Sequence, residues 1–333
     1  MPPCSSRPAL IRALALLAAL TPLAARAQIA ITSAVTLTSD APDSVHEGFT
    51  FRNTIVSVQS FSTATETYAL SGMADQVFIR RSSSTNNEAH VWYQTSSVGG
   101  DRIAPYATDY ADVLLDNNFA RGVHNLFGNS GTGTANVERL DLIATAGFTA
   151  TAGFAIPVFD FGIDPQHESF RIALVTAVDG AGNPTAYSSL ASTIPFVATN
   201  LYSHDTFSIH RYNTGDVTTS NYSVFNGPNQ GPGGVIFTLA DFAVPVGTTL
   251  YGYSLFGYDV SDGGNPANLV NWNNSSFFPT NTPSGEGQAG GFDFSGVNGI
   301  FFSAIPEPST YALGGLALMV GAIALRRRPT RAG

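Results

Sequence analysis

Short runs in which apolar and polar residues alternate dominate the middle of this chain. In Phe170–Val178 the alternation sets Phe170, Ile172, Leu174 and Val178 on one side, and Asp179-Gly180 then marks a turn. The spacing predicts a half-buried strand. Comparable runs cover residues 53–61, 76–80, 89–94, 138–144, 206–212, 234–239, 250–256 and 299–303, separated by turn clusters such as Asn226-Gly227-Pro228. Helical spacing stands out in residues 107–118, where Tyr110, Val113 and Leu114 fall at i, i+3 and i+4 while Asp109, Asp112 and Asp116 point elsewhere. Many short strands with turn punctuation predict an all-β body, an antiparallel β-sandwich or jelly roll with few short helices. No clean internal repeat is visible.

The two ends break this pattern. Arg7 and Arg12 flank an apolar segment over 13–20, and Ala25-Arg26-Ala27 then gives the small-x-small signature of signal-peptide cleavage, placing Ala25 and Ala27 at a cut before Gln28. A lipid-bearing cysteine would follow the apolar segment, whereas Cys4 precedes it and leaves with the leader. At the other end, residues 311–325 carry neither charge nor proline. With Ser309 and Thr310 they approach the roughly 17–20 residues that span a bilayer core, so a transmembrane helix is expected over 309–325. Arg326, Arg327 and Arg328 would hold its far end on the cytoplasmic side and leave the body outside. The expected organisation is a signal helix over 1–27, a body over 28–304 as one large domain or two lobes, and a tail over 305–333.

Charge narrows the possibilities for the body. The chain has 15 basic and 24 acidic residues; without the three leader arginines, Glu307 and the four tail arginines, 8 face 23, a net −15. Such an acidic body repels nucleic acid and anionic membrane surfaces. Divalent cations and neutral glycans remain as partners. Lysine is absent and the one cysteine lies in the leader, which excludes a Walker-type phosphate loop, Schiff-base and thiol chemistry, disulfides and cysteine-ligated zinc in the body.

Pro306-Glu307-Pro308, the apolar run and the Arg326-Arg327-Arg328 cluster, in that order and paired with a leader, resemble the PEP-CTERM sorting signal. The resemblance covers about the last 28 residues. It implies a Gram-negative bacterium that makes extracellular polysaccharide, recognition by a membrane exosortase, transient insertion of the tail, processing near Pro306 to Pro308, and a product released or attached at the cell surface. The physical logic is consistent with this: two prolines hold Glu307 in extended backbone and out of the helix. Gly314, Gly315, Ala317 and Gly321 leave thin places where another helix can approach. Two blocks of the body, around 121–141 and 251–279, are similar to segments of uncharacterised exported bacterial proteins.

Candidate chemistry in the body is sparse. Gly128-Asn129-Ser130-Gly131-Thr132 fails the nucleophile-elbow pattern at its last position. Asp160-Phe161-Gly162 spells a kinase motif but lacks the lysine and catalytic loop that would give it meaning. His204 and His210 share a strand parity yet stand roughly 20 Å apart, too far for a common metal, and are expected as exposed strand-end residues. Calcium needs clustered oxygen ligands, and Asp259-Val260-Ser261-Asp262-Gly263-Gly264-Asn265 offers them, with Asp259 and Asp262 as ligands; Asp160, Asp164 and Glu168 form a sparser second set. Both sets read more readily as solvated turns. Tyr251 and Tyr253 on one strand face, with Trp272 or Trp92, could stack a sugar, although such rows more often serve a core. A glycosidase would need two facing carboxylates, which composition alone does not select. These features favour a non-enzymatic exported surface or matrix protein of an exopolysaccharide or biofilm layer, ahead of a calcium-dependent carbohydrate-binding module and a secreted polysaccharide hydrolase.

Overall fold

The computed structural model describes residues 28–81, 88–96, 100–107, 110–127, 137–193, 196–202, 206–213, 222–226, 230–279 and 291–305. The leader with Ala25 and Ala27, the tail from Pro306 onward with its helix expected over 309–325, and His204 lie outside them. Among the described residues, no helix is long and apolar enough to cross a membrane.

The described residues are mostly β, as an all-β body requires, and each alternating run lies on a strand. Two antiparallel sheets dominate. The smaller runs in the order Pro184–Tyr187, Phe170–Val178, Thr249–Gly257, Val137–Thr149 and Gln76–Arg81. At the centre of the larger, Phe154–Ile163 pairs along one side with Gln230–Thr238 and along the other with Phe294–Gly296 and Ile300–Ala304. From Ile300–Ala304 the sheet continues through Thr67–Met73 and Thr54–Ser62 to Ser33–Asp40. From Phe294–Gly296 it continues through Asn118–Val123 and Glu88–Gln94 to Thr206–Asn213 and Tyr222–Asn226.

Alternation explains the layering. Phe170, Ile172, Leu174, Leu140, Leu142, Tyr253 and Leu255 from the smaller sheet meet Phe154, Ile156, Val158, Val235 and Phe237 from the larger in one buried cluster. Each fully buried side chain of this size stabilises the fold by about 1.5–3 kcal/mol, the main source available to a body without disulfides. The short helix Tyr110–Leu114 buries Tyr110, Val113 and Leu114, the three residues its spacing selects.

Three expectations change. Phe170–Val178 is not half-buried, because Ala173 and Val175 on its other face pack with Tyr187, Phe256, Val260, Leu269 and Phe278 beneath an excursion over 258–279. Phe154–Ile163 gives no alternation signal because nearly every residue in it is buried, and it contains Pro157. Phe159 and Phe161 donate their N–H groups to Asn298 Oδ1 and the Asp293 carbonyl, so Pro157 would have aimed its own toward the same side. There it faces the interval between Phe294–Gly296 and Ile300–Ala304, and no ladder bond is lost. Finally, Tyr251 and Tyr253 do not share a face. Between Ile143 and Phe148 the register with Thr249–Gly257 shifts at Gly252, whose φ is 125°, sending Tyr251 toward the outer cluster and Tyr253 into the central one.

Candidate functional site

Four chain segments bring acidic and imidazole side chains together inside the larger sheet. Asp160 lies on Phe154–Ile163; after a turn through cis Asp164–Pro165 the chain returns with His167 and Glu168; Asp293 precedes Phe294–Gly296; and His124 follows Asn118–Val123. Asp160 accepts from the Asp293 N–H at 2.7 Å, His167 Nδ1 at 3.0 Å and the Glu168 N–H at 3.2 Å. Asp293 Oδ1 in turn accepts from the Asn125 N–H at 2.7 Å and lies 2.9 Å from His124 Nδ1.

Burial decides the protonation of this cluster. It raises Asp160 well above the ordinary carboxylate range, and burial followed by the Asp160 and Asp293 charges pushes Glu168 up to about 11. Glu168 is therefore the carboxylic acid of the pair, its side chain hydrogen-bonded to Asp160. His167 is lowered by burial, so its contact with Asp160 joins a neutral imidazole to a shared-proton pair rather than two ions. His124 is also opposed by burial, yet Asp293 beside it holds its pKa above the ordinary value. Asp160 and His167 are 0% exposed in their side chains, and their hydrogen bonds cross-brace the segments that meet here. Of the second oxygen set expected for calcium, Asp160 and Glu168 turn inward while Asp164 stays outside. The sequence clue was available: Asp160 and Asp293 each stand between two phenylalanines, 159 and 161, 292 and 294, a setting that buries a carboxylate.

A second buried network underlies the excursion over 258–279. Asp141 accepts from Ser254 Oγ at 2.6 Å and from Arg139 Nη2 at 3.1 Å, with Arg80 Nε at 3.2 Å. Arg139 Nη1 reaches on to the carbonyls of Leu269 and Val270 at 2.6 and 2.9 Å, tying the excursion to the sheet. Trp272 is half-buried, its ring under the guanidinium groups of Arg80 and Arg139 at 4.8 and 5.0 Å. Its role here is to pin the excursion.

The residues expected to bind sugar or calcium separate accordingly. Tyr253 is fully buried and its hydroxyl accepts from the Gly299 N–H at 2.7 Å; Trp92 is fully buried and stacks on Phe161 at 4.2 Å. A ring with no exposed face cannot stack a sugar, which removes both. Tyr251 is half-buried. Asp262 Oδ1 closes a local turn by accepting from the Gly264 N–H at 2.9 Å, and its carbonyl takes Asn268 Nδ2 at 2.9 Å. Asp259 lies three residues before it, also half-buried. Among the described residues, no three His, Cys, Asp or Glu side chains are arranged to hold a metal ion. His210 is buried rather than exposed, accepting from Arg102 Nε at 3.1 Å.

The sorting segment leaves from the interior of the fold. Ile300–Ala304 lies between Phe154–Ile163 and Thr67–Met73, and the Ile305 N–H donates to the Thr67 carbonyl at 2.8 Å. Pro306 is the next residue. Residues 304–328 match the family model of the PEP-CTERM protein-sorting motif. The tail is a PEP-CTERM signal. The match takes in Pro306, Glu307, Pro308 and the three arginines Arg326, Arg327 and Arg328, and stops at the tail. The PEP-CTERM motif supports export and sorting to the cell surface by exosortase. No curated protein and no solved structure matches the chain.

Proposed function

We propose that the chain is an exported, non-enzymatic component of an extracellular polysaccharide or biofilm layer, delivered by exosortase through its PEP-CTERM tail and built as an antiparallel β-sandwich. The PEP-CTERM match at 304–328 carries the reading. Two further observations support it. The carboxylate pair Asp160 and Glu168 is buried beside Phe159 and Phe161, which supports a structural role for it. Asp141 and Arg139 are likewise spent on holding the excursion. The test is sedimentation of residues 28–305 with the host's own exopolysaccharide, first with calcium and then with EDTA. Co-sedimentation in both buffers, with no glycan cleavage, is the expected result. Binding abolished by EDTA would transfer the role to a calcium-dependent module around Asp259 and Asp262, and shortened glycan chains would make the body a hydrolase.

A further inference from the structure

Strand directions place both ends of the exported body on one pole. Ile300–Ala304 runs toward it and ends with the Ala304 N–H on the Gly153 carbonyl and the Ile305 N–H on the Thr67 carbonyl, both at 2.8 Å. Gln230–Thr238 runs the same way, and Ile29 pairs with Ile236 near its end, so Gln28 emerges there too. The turns at this pole are 63–66, 150–153 and 239–248. The last two are joined by the Gly247 N–H on the Ala150 carbonyl at 2.9 Å. A depression of about 500 Å³, lined by Ile29, Thr65, Glu66, Ala152, Leu239 and Val246, lies where they converge.

Charge at this pole is held in local hydrogen bonds. Its three turns contain two charged residues, and both are engaged locally: Glu66 accepts from the Tyr68 hydroxyl at 2.6 Å, and Asp241 from the Thr238 N–H and hydroxyl at 2.7 and 2.9 Å. Apolar groups face outward, with Val246 63% and Ile305 47% exposed. Between the anchored Ile305 and the membrane-directed run from 309 stand three residues, a reach of roughly 10 Å even when fully extended. While the tail is inserted, the pole therefore cannot stand far from the lipid headgroups.

We propose that the pole formed by turns 63–66, 150–153 and 239–248 rests on the lipid surface during sorting, with Val246 and Ile305 in the interfacial layer. The inference rests on insertion of the tail. Its partner is the bilayer, because the tether from Ile305 to the membrane-directed run is only three residues long.

The test uses the full chain with Cys4→Ser, which leaves single thiols at Val246→Cys or, as control, at the exposed Ser261→Cys in the excursion beyond the opposite end of Thr249–Gly257. Each is labelled with a polarity-sensitive fluorophore and mixed with phosphatidylethanolamine–phosphatidylglycerol vesicles carrying brominated lipid. The expected result is that the chain floats with the vesicles, and the label at 246 shifts to the blue and loses most of its emission while that at 261 does not. Flotation with no quenching at 246, or equal quenching at both, overturns the lipid contact. Quenching at 246 that requires co-reconstituted exosortase overturns it in favour of a protein partner. Failure to float overturns insertion of the tail, and with it this lipid contact.

Discussion

Glu168 is the residue at which solution conditions act most directly on this fold. Its carboxyl holds a proton up to about 11 in the folded chain, against an ordinary value of 4.5. Across that window the folded state binds more protons than the unfolded, so this group's stability contribution falls as pH rises. Glu168→Gln keeps a donor toward Asp160 without needing the proton. It is expected to raise the unfolding temperature at pH 8 and leave it nearly unchanged near pH 4, as followed by circular dichroism; equal shifts at both would remove protonation as the cause. His210 has the opposite sign. Burial and then Arg102 push it down to about 3, so its contribution is present above 6.5 and is lost as pH falls toward 3. His210→Gln should flatten the acid limb of the same stability profile. Gly252 tests geometry instead of charge: a Cβ there would lie 2.0 Å from the Leu142 carbonyl oxygen, at a φ of 125°. Gly252→Ala should cost about 2–4 kcal/mol in urea unfolding, because the register shift that separates Tyr251 from Tyr253 cannot form around it.

Individual elements differ in how openly the sequence declares them. Strands with alternating faces, such as Gln76–Arg81 and Thr249–Gly257, announce themselves by period. Phe154–Ile163 does not, because burial on both faces erases the period and Pro157 argues against a strand until its place beside the 297–299 turn is known. The sealed acid cluster was still less legible: four segments supply it, and sequence proximity joins only Asp160, His167 and Glu168. The excursion over 258–279 hides its own logic, since nothing near Trp272 in sequence announces that Arg80 and Arg139 lie over its ring. Trp272→Ala should accelerate protease cleavage within 258–279 while shifting global unfolding little. Arg139→Ala strips the buried Asp141 of its closest cation, at 2.7 Å, and should cost about 3–5 kcal/mol in the same urea experiment.

For the molecule as a whole, the strand that ends at the sorting signal is also structural. Ile300–Ala304 links Thr67–Met73, and through it Thr54–Ser62 and Ser33–Asp40, to Phe154–Ile163. A chain ending after Ile305 is expected to fold with a cooperative thermal transition, whereas one ending after Asn298 should lose protection in the first 50 residues of the body under hydrogen exchange. A cut between Pro306 and Pro308 would thus spare every described strand. The Ser71 hydroxyl meets the Phe301 carbonyl 230 residues later in the chain. Ser33–Asp40, Thr54–Ser62 and Thr67–Met73 pair with one another, and Ile300–Ala304 is the strand that joins this set to Phe154–Ile163. The order of strands in the sheet is therefore not their order of synthesis: three strands from the start of the body reach the central one through the last described strand of the chain.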